Sequence, residues 1–429
     1  MKNRRKRRRR KIINRIRLLF IIVLFILLLS LCLKFIVFNN KGSNNIFNSS
    51  DSKRVKELSE YVKTDDVINI YIYEDDEYVE NGTIGKDVIL HLEKKDDNYY
   101  LLKDFDEEYF VKKDNLSNYE DDVIIDDRYK NYIVFNENIS TNDVTEFYDE
   151  DDNLIYSIDK SMSLPIIIKE TNKYGVEYTN RLLYIKADDG EVVDSKNTTE
   201  HNISGVATLN YHAFYASDNE EEKKSCNTDI CHSDKQFKSQ LDYIKENNIL
   251  TIKMKEMEQY IDGKIQLPKS VLITIDDGGM TKLAVDMLTE YKMYATIFLV
   301  TSWYDPKDYY VTDYIELHSH SHDMHSTGVC PTGQGGAIQC LSEDKIQEDL
   351  KKSRELLNQT TYFCYPFYEY NEYSIRQLKK AGFTMAFVGE SSKKDNLAKV
   401  GMDKFRVPRF VIIKSTTIDD LEKYFNKMK

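Results

Sequence analysis

Twenty-one consecutive residues, Leu18–Phe38, are apolar except for Ser30, Cys32 and Lys34. As a helix this run spans roughly 30 Å, the thickness of the hydrocarbon core of a bilayer. Eleven Lys/Arg and no acid stand ahead of it in residues 1–17. Positive flanks stay cytoplasmic, so the expected layout is a basic cytoplasmic tail (1–17), a transmembrane signal anchor (18–38) and a body outside the cell membrane. Lys34, near the far end, can snorkel to the interface. No small-residue A-x-A arrangement precedes a cut, and Leu31 before Cys32 is too large for a bacterial lipoprotein site, so the run reads as an uncleaved anchor.

The charge balance inverts beyond that run. Twelve of the 60 Lys+Arg lie before Phe38, leaving 48 against 72 Asp+Glu, a net of −24. So acidic a body is a poor binder of nucleic acid, whose affinity rests on phosphate neutralisation. The cluster Arg4–Lys11 therefore reads as a membrane flank, and no nucleic-acid partner is expected. With 31 Tyr and 19 Phe the bulk folds, because disordered segments lack aromatic residues.

Outside a membrane the cysteines meet an oxidising environment. Cys226 and Cys231 flank a short polar loop, and Cys330 and Cys340 flank a Gly-rich one. Local disulfides 226–231 and 330–340 are the simplest reading, with Cys364 a buried thiol in a hydrophobic strand. Neither pair has the C-x2-C spacing of a zinc-cysteine site.

Residues 39–60 are rich in Asn, Ser, Lys and Asp and read as a linker. Residues 61–200 carry short β-like bursts: Asn69–Tyr73, Val88–Leu92, Tyr99–Leu102, Tyr109–Lys112, Tyr132–Phe135, Leu154–Ile158, Leu164–Ile168 and Arg181–Ile185. Acidic or Asn/Gly turns separate them, the signature of small all-β modules. Gly85–Leu116 resembles a bacterial SH3-like repeat; a spacer that holds an enzyme off the membrane, or a wall-binding module, is expected here. Beyond the Asn/Thr-rich Ser195–Asn202 the rhythm changes to alternation: strand-like Val206–Tyr211, Ile249–Ile252, Val271–Ile275, Ala295–Val300, Thr361–Tyr365, Thr384–Val388 and Phe405–Ile413. Between them lie helical stretches at Asp234–Asn247, Lys255–Ile261, Thr281–Tyr291, Ser342–Leu357 and Glu372–Ala381, and a last helix starts at Thr417. Such alternation predicts α/β architecture with a parallel sheet closed or nearly closed into a barrel, its chemistry at the C-terminal strand ends.

One strand end carries chemistry. Val271-Leu-Ile-Thr-Ile-Asp276-Asp277-Gly278-Gly279 places two adjacent carboxylates and two glycines after a buried-looking strand. Alone, this is often a turn. The segment Glu316-Leu-His318-Ser-His320-Ser-His322-Asp-Met-His325 then concentrates four of the eight histidines in eight residues. A solvated loop has no need of so many imidazoles, whereas zinc favours them together with a carboxylate.

With these motifs the sequence resembles the polysaccharide deacetylase family, the NodB-homology domain of carbohydrate esterase family four. The resemblance covers about residue 203 to the C-terminus. It rests on Leu209-Asn-Tyr-His212, Thr274-Ile-Asp276-Asp277-Gly278, the His-Ser motif, Tyr365-Pro366-Phe367 and Arg406-Val-Pro408-Arg409, in the family's order. It implies a distorted (β/α) barrel at 203–429, preceded by the small all-β (SH3-like) part and one transmembrane helix. It also implies that Asp276 is the general base and Asp277 a ligand of Zn2+ or another divalent metal beside two histidines. His318 and His322 have the common four-residue spacing. His320 and His325 have the five-residue spacing of the biofilm poly-N-acetylglucosamine deacetylases. The second pair is preferred, since Glu316 then stands four before the first histidine and Ser319 just before it.

Two departures bear on the proton relay. Many family members have an Arg where this chain has Cys364, and no histidine follows His325 to serve as the usual late general acid. His212 is the leading substitute, and Arg409 is expected to orient Asp276. Tyr365 and Phe367 are expected at the substrate, with a backbone N–H near Phe367 on the oxyanion. Trp303, Tyr304, Tyr368 and Tyr370 are candidates for stacking on sugars. The expected activity is removal of N-acetyl groups from N-acetylglucosamine residues of an extracellular polysaccharide, either peptidoglycan or poly-N-acetylglucosamine. A catalytically weak glycan-binding wall tether and a zinc amidase acting on peptide are the alternatives.

Overall fold

A computed structural model describes residues 57–123, 127–195, 202–389 and 396–428. The basic tail, the apolar run Leu18–Phe38 and most of the linker lie outside those residues, and the expected anchor lies there with them. Among the described residues no helix is long and apolar enough to cross a membrane. Leu58–Lys429 form one compact unit.

Its first part is antiparallel β throughout. Twelve strands hydrogen-bond in one path, and a separate three-stranded sheet joins Ser163–Pro165, Glu137–Thr141 and Gly190–Asp194. Their inward faces build a core around Val62, Ile70, Ile84, Val111, Phe147 and Tyr156. The tight turn between Ile68–Glu74 and Glu77–Ile84 puts Asp75 and Asp76 at φ 51° and 67°. Left-handed geometry at both central residues is what a two-residue hairpin needs to match strand twist. The expected strand Tyr132–Phe135 is a correction: it makes only an isolated bridge, Ile133 to Gln266, on the neighbouring α/β part. Its alternation is spent on packing between the two parts. There Tyr132 donates to Glu256 at 2.8 Å, and Arg128 pairs with the same carboxylate.

The second part is a curled parallel sheet. Strand neighbours run Met385–Phe387, Tyr362–Cys364, Ile315–Ser319, Ala295–Leu299, Ser270–Asp277, Ala207–Tyr211 and Phe410–Val411. The two edges approach where Phe387 bridges Val407 in parallel, three residues before Phe410 pairs with Leu209. The curl thus closes by a single bridge. Ser270–Asp277 reads SVLITIDD and is buried at seven of its eight positions, as a parallel strand covered on both faces must be. Helices such as Asp234–Glu246, Lys282–Tyr291 and Glu343–Leu356 cover the sheet.

Two sequence expectations change here. Phe405–Ile413 is not one strand: Lys404–Arg406 is a 3-10 turn and only Phe410–Val411 pairs. Pro408, which has no N–H, interrupts the ladder between them. Ile315–Ser319, too short and polar to stand out in the sequence, is a strand and launches the histidine segment. Cys226–Cys231 and Cys330–Cys340 are disulfide-bonded, and Cys364 is a buried free thiol.

Candidate active site

Asp276 and Asp277 end one strand, His212 follows another, His320 a third and Tyr365 a fourth. All stand at C-terminal strand ends. Adjacent residues on a strand face opposite ways, and the backbone resolves this by turning sharply at the carboxylates. Asp277 has φ 71° and Gly278 φ 96°. A left-handed non-glycine costs on the order of 1–3 kcal/mol and persists where the surroundings over-determine it. Glycine suits position 278 on two counts: its φ is positive, and a Cβ there would lie 2.4 Å from Leu299 Cδ1, so that side chain would have to shift.

The turn brings Asp277 to two imidazoles. Its Oδ1 lies 3.3 Å from His320 Nε2 and 3.2 Å from His325 Nε2. The three ligand atoms lie within 4.8 Å of one another. The other nitrogen of His320, Nδ1, is 2.8 Å from the Cys364 carbonyl. A carbonyl only accepts, so Nδ1 carries the proton and the Nε2 lone pair faces Asp277. Burial opposes the charge on Asp277, but the two neighbouring imidazoles outweigh it and hold the carboxyl well below the carboxylate range. One carboxylate and two imidazoles with lone pairs converging fit a zinc-like divalent ion.

The other histidines are placed elsewhere. His318 Nδ1 sits 2.7 Å from Thr360 Oγ1, and burial pushes this imidazole down to about 3. His322 Nδ1 sits 3.0 Å from Thr301 Oγ1, while its amide is held by Asp349 at 2.8 Å.

Asp276 is 1% exposed and meets Arg409, which is fully buried, in a bidentate pair. The Nη1–Oδ1 and Nη2–Oδ2 distances are 2.7 and 2.9 Å. Arg409 also donates to the Val388 carbonyl (3.0 Å), Thr274 Oγ1 (3.3 Å) and Cys364 Sγ (3.0 Å). Every branch of the fork is engaged, as a buried guanidinium requires. The guanidinium therefore reaches Asp276 past Cys364, a side chain small enough to let it through. Burial raises the Asp276 carboxyl, yet Arg409 outweighs it and keeps the group ionised, below its ordinary value.

His212 is 9% exposed, and its Nε2 lies 3.3 Å from the hydroxyl of Tyr368. That hydroxyl donates to Asn210 Oδ1 at 2.7 Å. Burial, opposed by Asp276 and Asp277, leaves His212 below the ordinary imidazole value. The partnership with Tyr368 was not legible in the sequence. Phe367 and Tyr368 both adopt left-handed backbone, φ 58° and 62°, and only that double turn aims Tyr368 at His212. The Phe367 ring centroid lies 4.4 Å from that of His325. Tyr365 does not join them: its hydroxyl donates to the Phe405 carbonyl and its ring packs on Phe363 and Tyr370 in a satellite core. Trp303 packs on His325 at 5.0 Å and remains half exposed.

An open cavity of about 260 Å³ runs from His212 and Asp277 past Met280, Trp303 and Tyr304 to the Cys226–Cys231 loop. A larger one of about 500 Å³, lined by Arg128, Arg181 and Glu256 among others, shares no residue with this site.

Residues 264–386 match the family model described as polysaccharide deacetylase, which bears out the resemblance read from the motifs. The poly-beta-1,6-N-acetyl-D-glucosamine N-deacetylase of Staphylococcus epidermidis is 26% identical over 202 residues, 42% of this chain and 67% of the relative. That of Staphylococcus aureus is 26% identical over 260 residues, 53% of this chain and 83% of the relative. A solved de-N-acetylase from Aggregatibacter actinomycetemcomitans aligns with TM-score 0.43 and 19% identity, over 51% of this chain and 99% of that one.

Proposed function

We propose that the chain is a metal-dependent polysaccharide N-deacetylase that removes acetyl groups from N-acetylglucosamine residues, acting outside the cell from an N-terminal anchor. The convergence of Asp277, His320 and His325 beside the buried Asp276–Arg409 pair carries this reading. The names of the staphylococcal relatives favour a β-1,6-linked polymer over peptidoglycan. Two disulfides suit an extracellular body.

Asp277, His320 and His325 would hold the ion, zinc by its preference for such donors; when bound it supplies Lewis acidity toward the acetyl oxygen and acidifies water. The remaining work falls to the chain's own side chains. A carboxylate offers about four lone-pair positions, of which Arg409 takes two and the Cys364 thiol a third. The fourth is free to take a proton from the attacking water, and Arg409 fixes its direction. The C–N bond then breaks, and the departing nitrogen needs a proton. His212, oriented by Tyr368, is the group placed to deliver it. Because His212 rests neutral, it acts as an acid only after taking up a proton, and the proton that Asp276 removes from the attacking water balances the one the departing nitrogen receives. The amides of Tyr368 and Glu369 are committed to the Tyr365 and Pro366 carbonyls, so the oxyanion role falls on the Phe367 amide. The open cavity past Trp303 and Tyr304 gives neighbouring sugar units room along the site.

The test is acetate release from β-1,6- and β-1,4-linked N-acetylglucosamine oligomers and from peptidoglycan, with zinc supplied and then chelated. Release from an oligomer that chelation abolishes is expected. Glycan binding without acetate would instead identify a wall tether, and peptide cleavage without acetate an amidase. Protease added to intact cells should degrade the body; protection until lysis would overturn the extracellular placement.

A further inference from the structure

The solvent face of the first β-sheet carries an aromatic cluster that the core does not explain. Along Ile68–Glu74 the pleat sends Ile68, Ile70 and Ile72 into the core, and Asn69, Tyr71 and Tyr73 to the other face, where Asn69 and Tyr73 are exposed and Tyr71 is buried. Across the ladder Tyr73 faces Tyr78, Tyr71 faces both Glu80 and Phe110, and Tyr99 faces Lys112. The rings meet on that outer face: Tyr78 stacks on Tyr99 at 3.6 Å, Tyr73 leans on Tyr78 at 4.9 Å, and Tyr71 meets Tyr99 edge-on at 5.5 Å. Tyr73 is 52% exposed, Tyr78 and Tyr99 are half-buried, and Tyr71 beneath them is buried. The outer face of an antiparallel sheet is ordinarily polar, so a stacked aromatic cluster there, open to solvent at Tyr73, is a candidate binding surface.

Its charge says what it would bind. The hairpin turn beside Tyr73 and Tyr78 is Glu74-Asp75-Asp76-Glu77, all exposed, and Glu80 and Asp96 flank the rings. Asp96 accepts from the Tyr78 hydroxyl at 3.1 Å, and Glu80 from that of Tyr71 at 3.4 Å. The chain's own Lys112 ammonium already lies 4.5 Å above the Tyr71 ring and 5.6 Å from that of Tyr99. Electron-rich rings within a carboxylate rim attract ammonium groups on saccharides, whose C–H faces stack on the same rings. Acetylated sugars lack that ammonium. We propose that this face binds a glucosamine polymer, the cationic product of the reaction proposed above, in preference to its N-acetylated precursor. The β-rich part then keeps the processed polymer beside the enzyme. The identity of the ligand rests on the deacetylase reading; the binding surface does not.

The experiment titrates the purified full chain with a β-1,6-linked glucosamine pentamer and with its fully N-acetylated counterpart, at low and high salt. The wild type should bind the glucosamine form about 10-fold more tightly, less so at high salt. Tyr73→Ala, and separately Glu74→Gln with Glu77→Gln, should each weaken glucosamine binding about 5-fold while leaving acetate release from a short acetylated oligomer unchanged. If Tyr73→Ala lowers the melting temperature, the exposed Glu74→Gln/Glu77→Gln variant decides alone. Equal affinity for the two pentamers, or variants that bind as the wild type does, would overturn the proposal. Mutation-sensitive glucosamine binding without any acetate release would overturn the deacetylase reading and support this surface. Acetate release with mutation-insensitive binding would do the reverse.

Discussion

The Asp276–Arg409 pair gives a sharp test, because its two members have different jobs but share one burial cost. Their side chains are 1% and 0% exposed, so removing either strands the other as an uncompensated buried charge. That costs about 3–5 kcal/mol. For a unit of roughly 370 residues, with an unfolding entropy near 2.1 cal/mol/K per residue, the loss lowers Tm by about 4–6 °C. Asp276→Asn should therefore lose stability as well as turnover, and Arg409→Met should lose comparable stability. The double variant Asp276→Asn/Arg409→Met replaces both charges, so it should be more stable than either single variant. It should stay as inactive as Asp276→Asn, down about 10²–10⁴-fold, because no base has been restored. Chemical denaturation, zinc content and acetate release on the three variants decide the matter. A double variant as unstable as the two singles summed would show that the pair is not mutually compensating. Turnover within a few-fold of wild type in Asp276→Asn, with zinc still bound, would show that Asp276 is not the base.

Asp277→Ala, His320→Ala and His325→Ala should each remove most bound zinc by elemental analysis, whereas His318→Ala should retain it, since His318 is turned to Thr360. The opposite pattern for His318 and His320 would move the site to the four-residue spacing. Gly278→Ala should cost about 2–4 kcal/mol in denaturant unfolding through its positive φ and the clash with Leu299, and a near-neutral result would show that the turn can relax. Glu316 is raised above its unfolded value of 4.5, chiefly by burial and against the Met254 amide it accepts. For a raised carboxyl the penalty is absent below the unfolded value, grows as pH rises through the folded one, and is complete above it. Glu316→Gln should thus raise Tm at neutral pH, with the gain fading as pH falls toward 4.5. A gain that persists at low pH would point to packing instead of charge.

Short-range chemistry was legible in the chain itself. The alternation after residue 206 predicted a curled parallel sheet, the run Val271–Asp277 predicted a buried strand ending in carboxylates, and the two close cysteine pairs predicted the two disulfides. The strand and the disulfides depend on neighbours within about a dozen residues, where spacing nearly dictates geometry, and the sheet followed from the order of such local segments. The four clustered histidines announced a donor set, but spacing alone could not say which two converge. That choice depends on where the Ile315–Ser319 strand stops and on the Cys364 carbonyl, 44 residues away, which orients His320. Arg409 meets Asp276 across 133 residues, and Tyr368 reaches His212 across 156, through two strained residues no periodicity reveals. Tyr365, drawn toward the substrate by its motif, faces the satellite core instead, where its hydroxyl finds the Phe405 carbonyl. Such contacts are decided by burial: once the sheet curls, each polar group inside must find its partner among whatever segments the curl brings together, and only the tertiary structure specifies which those are.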